Sequence, residues 1–300
     1  MRRLLIIGCG DVALRALPQL RERYRIYGLT HNRARAPLLR SRGVVPIVGD
    51  LDDPASLDGL AGIAHDVLHS APPPSQGARD TRTSHLIATL AKAKSLPQHL
   101  VYISTSGVYG DCAGALVDET RSLHPQTARA QRRVDAERQL RVWGRRSGVR
   151  ISILRAPGIY SEARLPLQRL AAGMPALCAD EDGYSNHVHA ADLARMAVAA
   201  LRFGHAGRMY NASDDSVLKM GDYFDLVADH CGLPRPPRLS RAEASARLPS
   251  NLWSFMNESR RLSNRRLKTE LRFKLRYPTV RDGIAAIAPA DGRDECLVIR

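Results

Sequence analysis

A chain of 300 residues can build one large or two modest domains around a substantial core. No apolar run approaches the roughly 18 residues of a membrane span, the apolar stretch Leu4 to Ile7 is too short for a secretory signal, and five scattered cysteines (Cys9, Cys112, Cys178, Cys231, Cys296) suggest neither a disulfide framework nor a zinc site. The formal charge of +15 comes with only five lysines among the basic residues, a bias that fits codon usage better than selection for a polyanion.

These features predict a cytoplasmic, metal-free protein that handles a small molecule as a monomer or homodimer, with no membrane partner. Residues 235–281 carry a local excess of basic charge but no nucleic-acid module and few aromatics, so a solvated face or a pocket for an anionic substrate is favoured over nucleic acid.

The run Leu4-Leu5-Ile6-Ile7 predicts a first strand, followed by Gly8-Cys9-Gly10-Asp11-Val12-Ala13 and a helical stretch over 12–23. This is a G-x-G-x-x-G/A fingerprint in a strand–turn–helix context, the pattern of a dinucleotide site. Gly8 permits the tight turn, Gly10 lets a pyrophosphate approach the backbone, and Ala13 lets the helix pack on the strand. The helix N-terminus, at Asp11 and Val12, presents free N–H groups to phosphate. A second strand, Tyr24–Thr30, ends in Thr30 and runs into His31-Asn32-Arg33-Ala34-Arg35. No acidic residue stands between Arg23 and Gly49 to hold a ribose 2′-hydroxyl, whereas Arg33 or Arg35 could pair with a 2′-phosphate. The expected cofactor is therefore NADP, with NAD less favoured.

Further strands are predicted at Val44–Val48, Asp66–His69, 100–104 and 150–155, the last following an arginine-rich helix over 127–144. Alternating strands and helices indicate an α/β fold, a Rossmann-type doubly wound parallel sheet. After Pro157 the pattern loosens into a helix near 166–172, an amphipathic helix over 187–201, a short strand over 208–211 and a helix over 220–231. Mostly helical character is expected over 240–283. The expected organisation is a dinucleotide-binding domain over 1–160, to which 187–211 returns, a small mostly helical substrate-side subdomain over 161–186 and 212–290, and a frayed tail over 291–300.

Several strings, in order, resemble one family. They are Val48-Gly49-Asp50-Leu51-Asp52-Asp53-Pro54, Tyr102-Ile103-Ser104-Thr105-Ser106-Gly107-Val108-Tyr109-Gly110, Arg155-Ala156-Pro157-Gly158-Ile159-Tyr160 and His187-Val188-His189-Ala190-Ala191-Asp192. Together, over about residues 1–285, they resemble the extended and atypical short-chain dehydrogenase/reductases, in their NAD(P)-dependent epimerase/dehydratase-like branch. The resemblance implies that Asp50 and Leu51 contact adenine and that Ser70, Ala71 and Pro72 pass the nicotinamide ribose. It also implies that Thr105 is the catalytic Ser/Thr beside the cofactor, and that the loop from Pro157 through Ile159 to Tyr160 flanks the carboxamide.

One departure stands out. The family's Tyr-x-x-x-Lys pair precedes an Ala-Glu that is Ala136-Glu137 here, so its tyrosine position is Arg129 and its lysine position is Arg133. An arginine stays charged and cannot serve as general acid or base. Two readings stay open: an NADP(H)-dependent oxidoreductase or epimerase/dehydratase in which another group moves the proton, or a non-catalytic NADP(H)-binding sensor. Candidates for the displaced proton transfer are Tyr109, Tyr160, His187, His189 or a water. The tyrosines equally read as packed turn residues and the histidines as part of a helix start. Arg129 and Arg133, at i and i+4 on one helix face, could instead bind a substrate phosphate or carboxylate.

Overall fold

Seven parallel strands form the centre of the protein: β1 (Arg2–Ile7), β2 (Tyr24–Thr30), β3 (Val44–Val48), β4 (Asp66–His69), β5 (His99–Thr105), β6 (Arg150–Ala156) and β7 (Arg208–Asn211). Their order across the sheet is β3-β2-β1-β4-β5-β6-β7, so the direction of winding reverses between β1 and β4. The structure, a computed structural model, describes residues 1–247, 253 and 256–288. Helices α1 (Asp11–Arg21), α2 (Ala36–Ser41), α3 (Thr81–Ala91), α4 (Ala128–Ser147), α5 (Leu167–Ala171), α6 (Ala190–Phe203) and α7 (Met220–Cys231) connect and cover these strands.

The unbroken apolar run of β1 follows from this arrangement, because a parallel sheet with helices on both faces leaves no solvent-facing side. Leu4 and Ile6 join one core with Ala13, Leu17 and Leu20 of α1 and Leu193, Ala197 and Ala200 of α6. Leu5 and Ile7 join the opposite core with Leu86 and Leu90 of α3 and Ala136 and Leu140 of α4. All four β1 side chains are at most 1% exposed, and each contributes about 1.5–3 kcal/mol by its burial.

The second half differs in detail from the sequence expectation. The helix expected over 187–201 starts later: His187–His189 is a strand paired in parallel with Gly158–Tyr160, and α6 begins at Ala190. The His189 ring accepts the Ala191 N–H and so caps α6, which fixes that boundary. The region expected to be mostly helical is also threaded with two-residue strand pairs. Ala176–Leu177 pairs with Arg238–Leu239, Tyr184–Ser185 with Leu218–Lys219, and Leu116–Val117 with Arg261–Leu262. Pairings this short carry no periodicity for a sequence to display. A separate apolar cluster of Tyr160, Leu170, Tyr223, Phe224, Val227, Val280 and Ile284 holds this half together. The tail expected over 291–300 lies outside the described residues.

Candidate functional site

The sheet register brings the predicted residues to one edge. Ile7 pairs with Leu29 and with His69, His69 with Tyr102, Thr30 with Val48, and Thr105 with Ala156. The segments at Gly8–Ala13, Thr30, Asp50–Leu51, Ser70–Pro72, Thr105 and Pro157–Ile159 are therefore the carboxyl ends of β1, β2, β3, β4, β5 and β6, grouped around the switch point where open α/β sheets bind ligands.

Within the first loop the two glycines are required for different reasons. Gly8 has φ +90°, and a Cβ on it would lie 2.6 Å from the Ala71 nitrogen, so the chain's own backbone demands glycine. Ser70 cements this approach, its N–H donating to the Ile7 carbonyl and its hydroxyl to the Gly8 carbonyl at 2.6 Å. Gly10 has an ordinary extended backbone, and a Cβ on it would meet nothing within 4 Å. No packing within the described chain explains that glycine, whereas a pyrophosphate laid across the loop would. Gly10 is also the N-cap of α1 and provides no side-chain hydrogen bond, so the first N–H groups of α1 keep their capacity to bind an anion. Val12 and Ala13 are buried beneath. The Asp11 carboxylate does not cap the helix. It pairs with Arg15 at 2.7 Å and Arg164 at 3.2 Å, while Arg15 also binds Glu162, which ties the turn Glu162–Arg164 to the start of α1. The i, i+4 spacing of Asp11 and Arg15 signalled the first pair; the others are long-range and had no signal.

At the β2 edge, Thr30 is buried and its hydroxyl donates to the Asn32 carbonyl, while Asn32 caps the turn Arg33–Arg35 by accepting the Ala34 N–H. Arg33 is exposed and Arg35 half-buried. Arg35, rather than Arg33, reaches the glycine loop, its Nη2 donating to the Cys9 carbonyl at 3.1 Å. Across the cleft, the Asp50 side chain accepts the Asp52 N–H. Leu51 is buried, and its carbonyl lies 2.7 Å from the His85 ring. Pro72 is exposed, and its carbonyl accepts from Arg82, which is held by Asp52.

The third wall is α4. Thr127 caps it by accepting the Ala130 N–H, and its first turns present Arg129, Arg132 and Arg133. Arg133 is buried. Its Nη1 donates to the Tyr102 hydroxyl at 2.7 Å and lies 3.0 Å from the Ile103 carbonyl and 3.3 Å from the Ala71 carbonyl. Arg132 is buried as well and donates to the Gly77 carbonyl at 2.7 Å, fastening the loop after β4. Arg129 is exposed and makes no hydrogen bond or ion pair among the described residues. Partial desolvation of its charge, with the Arg133 and Arg132 cations close by, lowers its pKa. Thr105, half-buried, accepts the Gly107 N–H through Oγ1 at 3.2 Å, capping the turn Ser106–Tyr109, and its own proton stays available to a partner.

None of the four side chains weighed as a replacement acid faces this edge freely. Tyr109 is fully buried between Arg155 at 2.9 Å and Asn211 at 2.7 Å, and burial pushes its pKa up to about 12 although the Arg155 guanidinium pulls it down. Its partner Arg155 holds Glu137 in a buried bidentate pair, and Ser104 donates to the same carboxylate. This network, which spans β5, α4, β6 and β7, is a feature the sequence reading missed. Tyr160 is buried under Gly283, and burial raises its pKa. Burial depresses His187 to about 3, and the ring is stacked 4.1 Å from Tyr223. His189 caps α6. Among the described residues no cluster of metal-ligating side chains is present, and no helix is long and apolar enough to cross a membrane.

The model of the family described as NAD dependent epimerase/dehydratase matches residues 9–213. Among solved structures, a functionally unknown conserved protein from Silicibacter pomeroyi DSS superposes with a TM-score of 0.80 at 28% identity, covering 95% of this chain and 98% of that one. The UDP-glucose 4-epimerase of Thermotoga maritima, solved with UDP-glucose, gives 0.76 at 16% identity, with 94% and 96% covered. The UDP-glucuronic acid 4-epimerase of Bacillus cereus, solved with NAD, gives 0.72 at 18%, with 95% and 94% covered. At these identities the likeness to the two epimerases concerns the fold. No curated protein sequence matches the chain.

Proposed function

The chain belongs to the NAD dependent epimerase/dehydratase family, and from that premise we propose that it binds NADP(H) and acts as an oxidoreductase or epimerase-like enzyme on a small molecule, without a tyrosine acid. The observation that carries the reading is Gly10, the N-cap of α1, which offers no side-chain cap and where no packing in the described chain requires glycine. The pyrophosphate would lie over Gly8, Gly10 and the N–H groups of Asp11 to Ala13. Adenine would lie between Thr30, Asp50 and Leu51, and the nicotinamide end between Ser70, Ala71, Pro72, Thr105, Pro157 and Ile159. The preference for NADP over NAD rests on the missing acid after β2 and on Arg35 at the glycine loop with Arg33 beside it. Bound there, the cofactor would supply or accept a hydride.

Thr105 would hydrogen-bond the substrate oxygen that gains or loses a proton. With arginines at 129 and 133, the proton exchange usually made by tyrosine is absent from its place, and general acid–base help is worth about 10²–10⁴-fold. Ordinary sugar nucleotides should therefore turn over weakly or not at all. The second reading, a non-catalytic NADP(H) sensor, is favoured by Arg133 being spent on Tyr102, Ile103 and Ala71.

The deciding experiment follows the absorbance of NADPH with a panel of small carbonyl compounds. Turnover with any of them, lost in Thr105→Ala, supports the enzyme. Tight NADPH binding with no consumption across the panel supports the sensor. Substantial turnover on a sugar nucleotide would overturn the account of the missing acid.

A further inference from the structure

Three guanidiniums project from the first two turns of α4 without an ion-pair partner among the described residues. Arg132 and Arg133 are at least held by carbonyls and by the Tyr102 hydroxyl. Arg129 is held by nothing described. It stands second in the helix, with no acidic residue in the first turn, where a cation opposes the positive end of the helix dipole and costs rather than contributes stability. Its two arginine neighbours add repulsion. Internal packing does not account for an unpaired cation in so unfavourable a place, and an anion arriving from outside would relieve both penalties. Arg129 also neighbours the turn that follows β5. The adjacent Ala130 methyl lies 3.7 Å from where a Cβ on Gly107 would be, in the turn that Thr105 caps.

We propose that Arg129 is a substrate-binding residue that receives an oxyanion, a carboxylate or a phosphate, carried by the substrate close to the carbon that exchanges hydride. The inference rests on the reading of this cleft as the reaction site. The position that in the family would supply a proton here supplies a fixed positive charge, which selects small anionic substrates and positions them against Thr105. A planar guanidinium is suited to this because it can meet two oxygens at once.

The test titrates the full-length, NADPH-loaded protein by calorimetry, with oxalate in one arm and inorganic phosphate in the other, for the native chain, Arg129→Gln and Arg129→Lys. One of the two anions should bind the native chain, at least tenfold more weakly to Arg129→Gln, with Arg129→Lys intermediate. Which arm responds tells carboxylate from phosphate. NADPH affinity of both variants should match the native value, and the melting temperature of Arg129→Gln should be no lower than native, since Arg129 makes no internal bond and its charge opposes the helix dipole. Binding of neither anion, or equal binding by native and Arg129→Gln protein, overturns the inference. Titration of NADPH into the same samples keeps the two readings apart. Failure of NADPH to bind, with Arg129-dependent anion binding retained, removes the cofactor reading and leaves the anion site standing.

Discussion

Gly8 and Gly10 look equivalent in the motif, but the structure separates them. Gly8→Ala forces a side chain into a positive-φ turn against the Ala71 backbone and should destabilise the fold by at least about 1–3 kcal/mol, readable by urea denaturation. Gly10→Val should cost less, about 1 kcal/mol for a poorer N-cap, and abolish dinucleotide binding. A Gly10→Val protein that unfolds as readily as Gly8→Ala would mean both glycines serve packing alone. Of the two arginines after β2, Arg33 is the one the sequence favours as the phosphate partner. Arg33 is exposed, and Arg35 touches the Cys9 carbonyl, a contact between residues 26 apart that no local pattern announces. Arg35→Ala should weaken NADPH binding by about 1.5–3 kcal/mol, the worth of a charge-assisted contact, and change NADH binding much less. Equal losses for the two nucleotides would remove Arg35 from the 2′-phosphate.

Helix α4 shows where sequence reading succeeds and stops. Its position and the arginines at 129 and 133 follow from the sequence, which began the helix at Thr127, the residue that caps it. Its energetic role does not, because each partner comes from another element. Glu137 lies fully buried against Arg155 of β6, with side chains 2% exposed on both sides. Such a pair is no net gain over apolar packing, yet breaking it leaves a buried charge uncompensated. Glu137→Ala should cost about 3–5 kcal/mol, measured by denaturant unfolding, whereas a loss below about 1 kcal/mol would mean water takes the place of the carboxylate. Arg133→Ala should cost less, about 1–3 kcal/mol, since it strands neutral acceptors at Tyr102, Ile103 and Ala71 rather than a charge. The short strand pairs of the second half were invisible for the same reason: two residues carry no period, and their partners lie up to 145 positions away, as for Leu116 and Arg261.

At the scale of the whole molecule, the parallel sheet was legible because seven strand-like runs alternate with helical segments, whereas its strand order is a finding of the structure. The charge balance of the interior was not. Burial depresses His69 and His187 to about 3 and His99 to about 4, whereas it raises Asp214 to about 7. Between about pH 4.5 and 6 the unfolded chain protonates all three histidines while the folded chain keeps them neutral, so their contribution to stability falls as pH falls. Asp214 acts oppositely: the folded chain holds its proton where the unfolded chain has lost it, and stability falls as pH rises from about 4 to 7. Three histidines against one aspartate favour net proton uptake by these groups on unfolding, so their combined contribution to stability should fall on acidification through that window. Asp214→Asn, which mimics the neutral acid, should steepen that fall and raise stability at pH 8. An unfolding free energy flat from pH 4.5 to 6 would contradict the burial of these rings.

The central claim is that this edge of the sheet holds NADP(H) across Gly10. Its most direct measurement is calorimetric titration of the native chain and of Gly10→Val with NADPH and NADH. The native chain should bind both nucleotides, NADPH more tightly, and folded Gly10→Val should bind neither. Native protein that binds neither nucleotide, or Gly10→Val that binds NADPH as the native chain does, would contradict it.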